Sequence, residues 1–197
     1  MRRVVVGVVV GLLVAGCSRS PKPDPTPTGP LPTRVASSAS ALCGVDPDSL
    51  ALASGFASAG QSGELVPGSG YCSVAGGEGF PFVGALLIVR IDPVDSEEGR
   101  KMLAQLGGQV ARVPDVVYDD VVGAAWAAPM TDPGSRWPTG GGATVVWGDV
   151  VVRVDTGASA PGRDTAADLL ALVRQVASSA GLGPYRASTS PAARPSP

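Results

Sequence analysis

The chain of 197 residues has no histidine and no asparagine, and its only lysines are Lys22 and Lys101. Without histidine it lacks the commonest general base and the commonest metal ligand. That excludes imidazole-based charge-relay triads and His-containing zinc sites. Charged residues make up 16% of the chain and the net charge is -2, whereas a nucleic-acid binder carries a basic excess. Aromatics amount to 5%, with 3 each of Trp, Tyr and Phe. What the chain has instead is 27 Gly, 19 Pro and an odd number of cysteines, 3.

The first cysteine ends an unusual leader. Arg2 and Arg3 precede residues 4–16, which are apolar or small and uncharged. A helix needs ~20 apolar residues to cross a bilayer, so this run is too short to span one. It has the basic start and apolar middle of a secretory signal. The arginine pair lacks the rest of a twin-arginine signal, which leaves general secretion. The run closes Leu13-Val14-Ala15-Gly16-Cys17, which resembles the bacterial lipobox. The resemblance implies cleavage after Gly16, diacylglycerol on the Cys17 thiol and acylation of the new N-terminus. Each buried methylene contributes roughly 0.8 kcal/mol, so two or three acyl chains anchor firmly where one is marginal. The expected location is the extracytoplasmic face of the cell membrane, anchored through Cys17 without spanning.

Residues 17–40 carry six prolines (Pro21, Pro23, Pro25, Pro27, Pro30 and Pro32) and few large apolar side chains. Such a segment buries too little surface to offset its ordering entropy, and its prolines favour an extended chain. It reads as a disordered Pro/Ser/Thr-rich linker, either a stalk of ~40–60 Å at ~3.1 Å per residue or a plain leader. Thr and Ser beside its prolines resemble O-glycosylated stalks. Residues 186–197 repeat this character and read as a disordered tail. One domain, residues 41–185, remains, of ordinary size for a single core.

Within it, Asp46-Pro47 followed by Leu50, Ala51 and Ala53 predicts a short helix capped by Asp46 with Pro47 at its first position. Strands are expected at residues 71–74 and 80–91, the second so continuously apolar that it reads as a central strand covered on both faces. Residues 58–69 are too small and polar to hold themselves down. Ser96, with Glu97 and Glu98 behind it, opens a helix whose apolar stripe is Met102, Leu103 and Leu106, with Gly107-Gly108 as its stop. Residues 116–118 and 123–128 are further strand candidates. Two β-branched runs separated by Gly148-Asp149 predict a hairpin with a primed turn. Asp164 caps a last helix whose inner side is Leu169, Leu170, Val173, Val176 and Ala177, with Gly181 beyond its end. The fold class is α+β, an antiparallel sheet with helices packed on it.

With Cys17 lipidated, Cys43 and Cys72 form an even remainder in a compartment where disulfides persist. A redox-active pair is normally two residues apart near a helix N-terminus, so a structural disulfide is expected. Closing a loop of ~30 residues contributes on the order of 3–4 kcal/mol. The segment Ala41-Leu42-Cys43-Gly44-Val45-Asp46-Pro47, the second cysteine in Tyr71-Cys72-Ser73-Val74, the late strand pair and the C-terminal helix resemble a family of actinobacterial secreted lipoproteins. The domain shared by that family has no assigned function. The resemblance implies an α/β sandwich similar to the PsbP-like fold, and no catalytic residues. The chain departs from it near Val74, where the family has a tryptophan soon after the second cysteine. Abundant Ala, Gly, Val, Arg and Pro fit a high-GC genome of that kind.

Catalytic motifs are thin. Gly60-Gln61-Ser62-Gly63 and Gly68-Ser69-Gly70 are not nucleophile elbows. Gly76-Gly77-Glu78-Gly79 and Gly140-Gly141-Gly142 lack the Gly-Lys-Ser/Thr ending of a phosphate loop. Asp92, Asp95, Glu97 and Glu98 cluster at a strand-to-helix junction, with Asp119-Asp120 further on. Paired carboxylates can hydrolyse glycosides, but helix capping and a solvated face account for the first cluster. Arg136-Trp137 lies in a long loop and offers an Arg-Trp contact pair of the kind found at interfaces, or a lid over the sheet edge.

The leading reading is therefore a non-catalytic, lipid-anchored envelope protein that needs no cofactor and binds another envelope protein or a small ligand. A carboxylate enzyme using Asp92 and Asp119, and a structural or surface-antigen lipoprotein, stand behind it.

Overall fold

A computed structural model describes residues 29–35, 41–81, 84–110, 125–129 and 140–182. The residues read as a signal peptide, Cys17, Asp119, Arg136, Trp137, the strand candidate at 116–118 and the residues read as a C-terminal tail lie outside them.

Among the described residues the chain runs α1 (Pro47–Ser54), β1 (Ser58–Val66), β2 (Ser69–Gly76), β3 (Ala85–Pro93), α2 (Glu97–Val110), β4 (Ala125–Pro129), β5 (Gly141–Trp147), β6 (Val150–Thr156) and α3 (Thr165–Ser179). The strands form one six-stranded sheet in the order β1-β2-β3-β6-β5-β4, antiparallel at every pairing. The fold is α+β, an antiparallel sheet with helices packed against it.

Register explains which residues are core, because directly opposed residues share a face. Cys72 pairs with Val89, Val89 with Val154 and Val154 with Ala143, and all of these are buried. The same face carries Val74, Leu87, Ile91, Val152, Val145 and Trp147, which cluster with Leu50 of α1 and Leu169, Leu172, Val173 and Val176 of α3. The opposite face mixes apolar residues, Ile88, Val146 and Val151, with Arg90, Asp92, Arg153 and Asp155, and α2, whose Met102 and Leu106 are buried, covers part of it. There the Arg153 guanidinium donates to Gln105 Oε1 at 2.8 Å, and Arg90 lies 3.6 Å from Glu98. The result is three layers, with α1 and α3 on one side of the sheet and α2 on the other.

The helix signals behave as their chemistry demands. The Asp46 carboxylate accepts from the Ser49 N–H and hydroxyl at 3.0 and 2.9 Å. Asp164 accepts from the Ala167 N–H at 3.1 Å, and the Ser96 hydroxyl accepts from the Gly99 N–H at 2.9 Å. The β5–β6 turn has Gly148 at φ 65°, a positive-φ glycine at the first central position as a II′ turn requires.

Two expectations need correction, and one segment gains an element. Gly107-Gly108 do not stop α2, which continues to Val110. Neither glycine takes the left-handed conformation that would close the helix, and a helical glycine costs only about 1 kcal/mol. Residues 58–69, too small and polar to hold themselves down, contain β1, which is held by backbone pairing to β2. The strand expected from residue 80 begins at Ala85. Phe80 instead packs edge-on against Phe56, ring centroids 5.3 Å apart.

Residues 29–35 also differ from a free linker. Leu31 is 6% exposed and joins the core, while its neighbours through Arg34 lie on the surface. Gln175 Nε2 donates to the Pro32 carbonyl at 2.7 Å, and Arg163 Nη2 donates to the Gly29 carbonyl at 3.1 Å.

Candidate functional site

Cys43 and Cys72 are joined by a disulfide, with Cα atoms 5.5 Å apart. Cys72 faces the core from β2. Cys43 sits in a tight turn closed by the Leu42–Val45 bridge, at φ 50° followed by Gly44 at φ 77°. The bond pins this turn over β1. The Cys43 N–H donates to Gln61 Oε1 at 2.6 Å, and the Ser179 hydroxyl at the end of α3 donates to the Gly44 carbonyl at 2.9 Å.

Between the pinned turn, the last turn of α3 and β1 lies an open concavity of about 210 Å³. Its walls are Ala41, Gly44, Gly63, Leu65 and Ala180 with the disulfide, its polar side chains are Gln61 and Ser179, and it borders Glu64 of β1. Among the described residues β1 is the first strand of the sheet and its outer side has no strand partner. Gly63 bends it at φ 85°. A Cβ there would run into the carbonyl oxygen of Tyr71, so only glycine fits. The opposite face of β1 and β2 carries the exposed Val66 and Tyr71, with Arg90 5.6 Å from the Tyr71 ring centre and the Ser62 and Ser73 hydroxyls paired at 2.9 Å.

The carboxylate cluster at the start of α2 is dispersed. Glu97 and Glu98 both pair with Lys101, at 2.8 and 2.9 Å, on the solvent side of the helix. Lys101 holds the Glu98 carboxyl below its usual value, first through the hydrogen bond and then through its charge. Asp92 differs from these. Among the described residues its Oδ2 is buried without a hydrogen-bond partner, and its pKa is raised, first by burial and then by the charge of Glu98, against the lowering effect of Arg90. Asp119, its expected partner, lies outside the described residues, as do Cys17, Arg136 and Trp137. Among the described residues no group of three or more His, Cys, Asp or Glu comes together to hold a metal. No described helix is long and apolar enough to cross a membrane.

The residue that composition and motif missed is Gln175 of α3, completely buried. Its Oε1 accepts from the Asp46 N–H at 2.9 Å, and its Nε2 donates to Ser49 Oγ at 3.1 Å as well as to Pro32. A glutamine among Leu172, Val173 and Val176 on the inner side of a helix was the available signal, since buried polar side chains are kept with partners. Nearby, Arg163 and Asp168 form a buried bidentate pair, with side chains 3% and 6% exposed. That pairing holds the Arg163 guanidinium more firmly protonated than usual.

Comparison with protein-family models, curated proteins and solved structures finds no match to this chain.

Proposed function

We propose that this chain is a lipid-anchored protein of the cell envelope, held through Cys17 at the extracytoplasmic face of the membrane. In this reading it belongs with the actinobacterial lipoproteins it resembles, and residues 41–185 serve as a non-catalytic binding or accessory domain. The observation that carries the reading is the concavity at the open side of β1, walled by a turn that the Cys43–Cys72 bond holds in place. A disulfide at that position supports an oxidising compartment, which agrees with the leader and lipobox. The lining combines a small apolar floor with a few polar groups, the usual composition of a binding site.

A photo-crosslinking side chain at Ala41, which lines the concavity, compared in intact cells with one at Lys101 on the α2 side, tests the binding surface. A discrete adduct at Ala41 that is missing at Lys101 is expected. Identical patterns at both positions, or none at either, would contradict it. The carboxylate-enzyme alternative has one observation in its favour, the unpartnered Asp92 oxygen. It requires a second carboxylate brought to Asp92.

A further inference from the structure

We propose that the groove between α1 and α3 is a binding site for extended, proline-flanked peptide segments, and that residues 29–35 fill it in cis. This rests on a different surface from the concavity beside β1 and holds whether or not Cys17 carries lipid.

The segment Gly29-Pro30-Leu31-Pro32-Thr33 is bound much as a separate peptide would be. One side chain, Leu31, is buried at 6% exposure. Pro30, Pro32, Thr33 and Arg34 stay on the surface. The polar contacts come from the domain's side chains and go to backbone carbonyls of the segment. Gln175 donates to Pro32 O at 2.7 Å, and Arg163 donates to Gly29 O at 3.1 Å.

Both donors are held in place before any segment arrives. Gln175 is fixed by Asp46 N–H and Ser49 Oγ, and Arg163 is fixed by its bidentate pairing with Asp168. Donors aimed at main-chain carbonyls, with one apolar anchor between them, recognise a backbone shape and a single side chain. Prolines on either side of the anchor preset that extended shape and lower the entropy lost on binding. A proline-rich stretch of another protein with the same Pro-Leu-Pro spacing would meet the same groups.

In sequence only five residues, 36–40, separate the cis segment from residue 41, and a link that short sets an effective concentration on the order of mM. A partner segment therefore competes only when the cis segment is displaced. Wild-type protein is the closed form and a Leu31 variant the open one.

The test uses the full chain in detergent and a fluorescent synthetic peptide spanning residues 28–35, read by polarisation. Leu31→Asp protein, its fold checked by cooperative unfolding, should bind the peptide about tenfold more tightly than wild type. Gln175→Leu added to Leu31→Asp should remove most of that gain, and a peptide carrying Leu31→Asp should not bind. Absent binding by folded Leu31→Asp protein, or equal binding by both proteins, would overturn the proposal.

Should Leu31→Asp fail to fold, a protease site placed between Ser37 and Ser38 of the wild-type chain gives a second measurement. After cleavage the N-terminal piece should stay associated and be exchanged by excess peptide. A piece that leaves and is not replaced, or one that stays and never exchanges, would refute a peptide site.

Discussion

Replacing Gln175 by leucine conserves size and removes only hydrogen bonds, so its cost can be worked from the partners left behind. Ser49 Oγ keeps the Asp46 carboxylate at 2.9 Å, and the surface carbonyl of Pro32 can turn to water. The Asp46 N–H, whose partner is Gln175 Oε1 at 2.9 Å, becomes a covered donor with no acceptor, at about 1–3 kcal/mol. Adding about 1 kcal/mol for the net loss of the other bonds gives roughly 2–4 kcal/mol.

Gln175→Glu separates hydrogen bonding from shape. At neutral pH its carboxylate keeps the Asp46 acceptor but faces Pro32 O with no donor, so this variant should be at least as unstable as the leucine one. Its folded-state pKa would be raised, so the deficit should shrink as pH falls and the protonated carboxyl regains a donor. Urea unfolding of the oxidised protein measures all three chains. A loss below about 0.5 kcal/mol for leucine, or a glutamate deficit unchanged by acid, would refute the role given to Gln175.

Other expectations are more local. Replacing both Cys43 and Cys72 by alanine releases a link 29 residues apart and should cost about 3–4 kcal/mol; reducing the wild type should reproduce the loss in the same denaturation assay. Gly63→Ala puts a side chain into the Tyr71 carbonyl at a positive φ and should cost about 2 kcal/mol or more. Gly68→Ala, at φ 80° with open space around it, should cost only about 1 kcal/mol. Burial raises the pKa of Asp92, so the folded state favours its neutral form. That contribution is full below the ordinary carboxylate range and is lost as pH rises through the raised value. Asp92→Asn should therefore gain thermal stability relative to wild type between about pH 3 and pH 7; a constant difference across that range would count against the buried-acid assignment.

Elements with strong local chemistry could be read from the chain. Asp46-Pro47 and Asp164 mark helix starts because a carboxylate satisfies backbone N–H groups that the helix cannot, and Gly148-Asp149 marks a hairpin because glycine takes the positive φ. β1 could not be read, since an edge strand of Ser, Gly and Gln draws its order from β2 and from the disulfide-pinned turn above it. The concavity was hidden for the same reason, being assembled from Ala41–Gly44, β1 and the end of α3 across long sequence separation. Leu31 stood alone among prolines in a segment whose composition says unfolded. Its docking depends on Gln175, more than a hundred residues away, and no local pattern carries that.

The envelope proposal turns on whether Cys17 carries lipid. Membranes from cells expressing the full chain should yield an N-terminal peptide that begins at Cys17 and bears a diacylglyceryl thioether with an amino-terminal acyl chain. The Cys17→Ala protein should lose the modification and leave the membrane fraction. An intact, unmodified leader still joined to Cys17, or Cys17→Ala protein that stays membrane-bound, would contradict lipid anchoring at this residue.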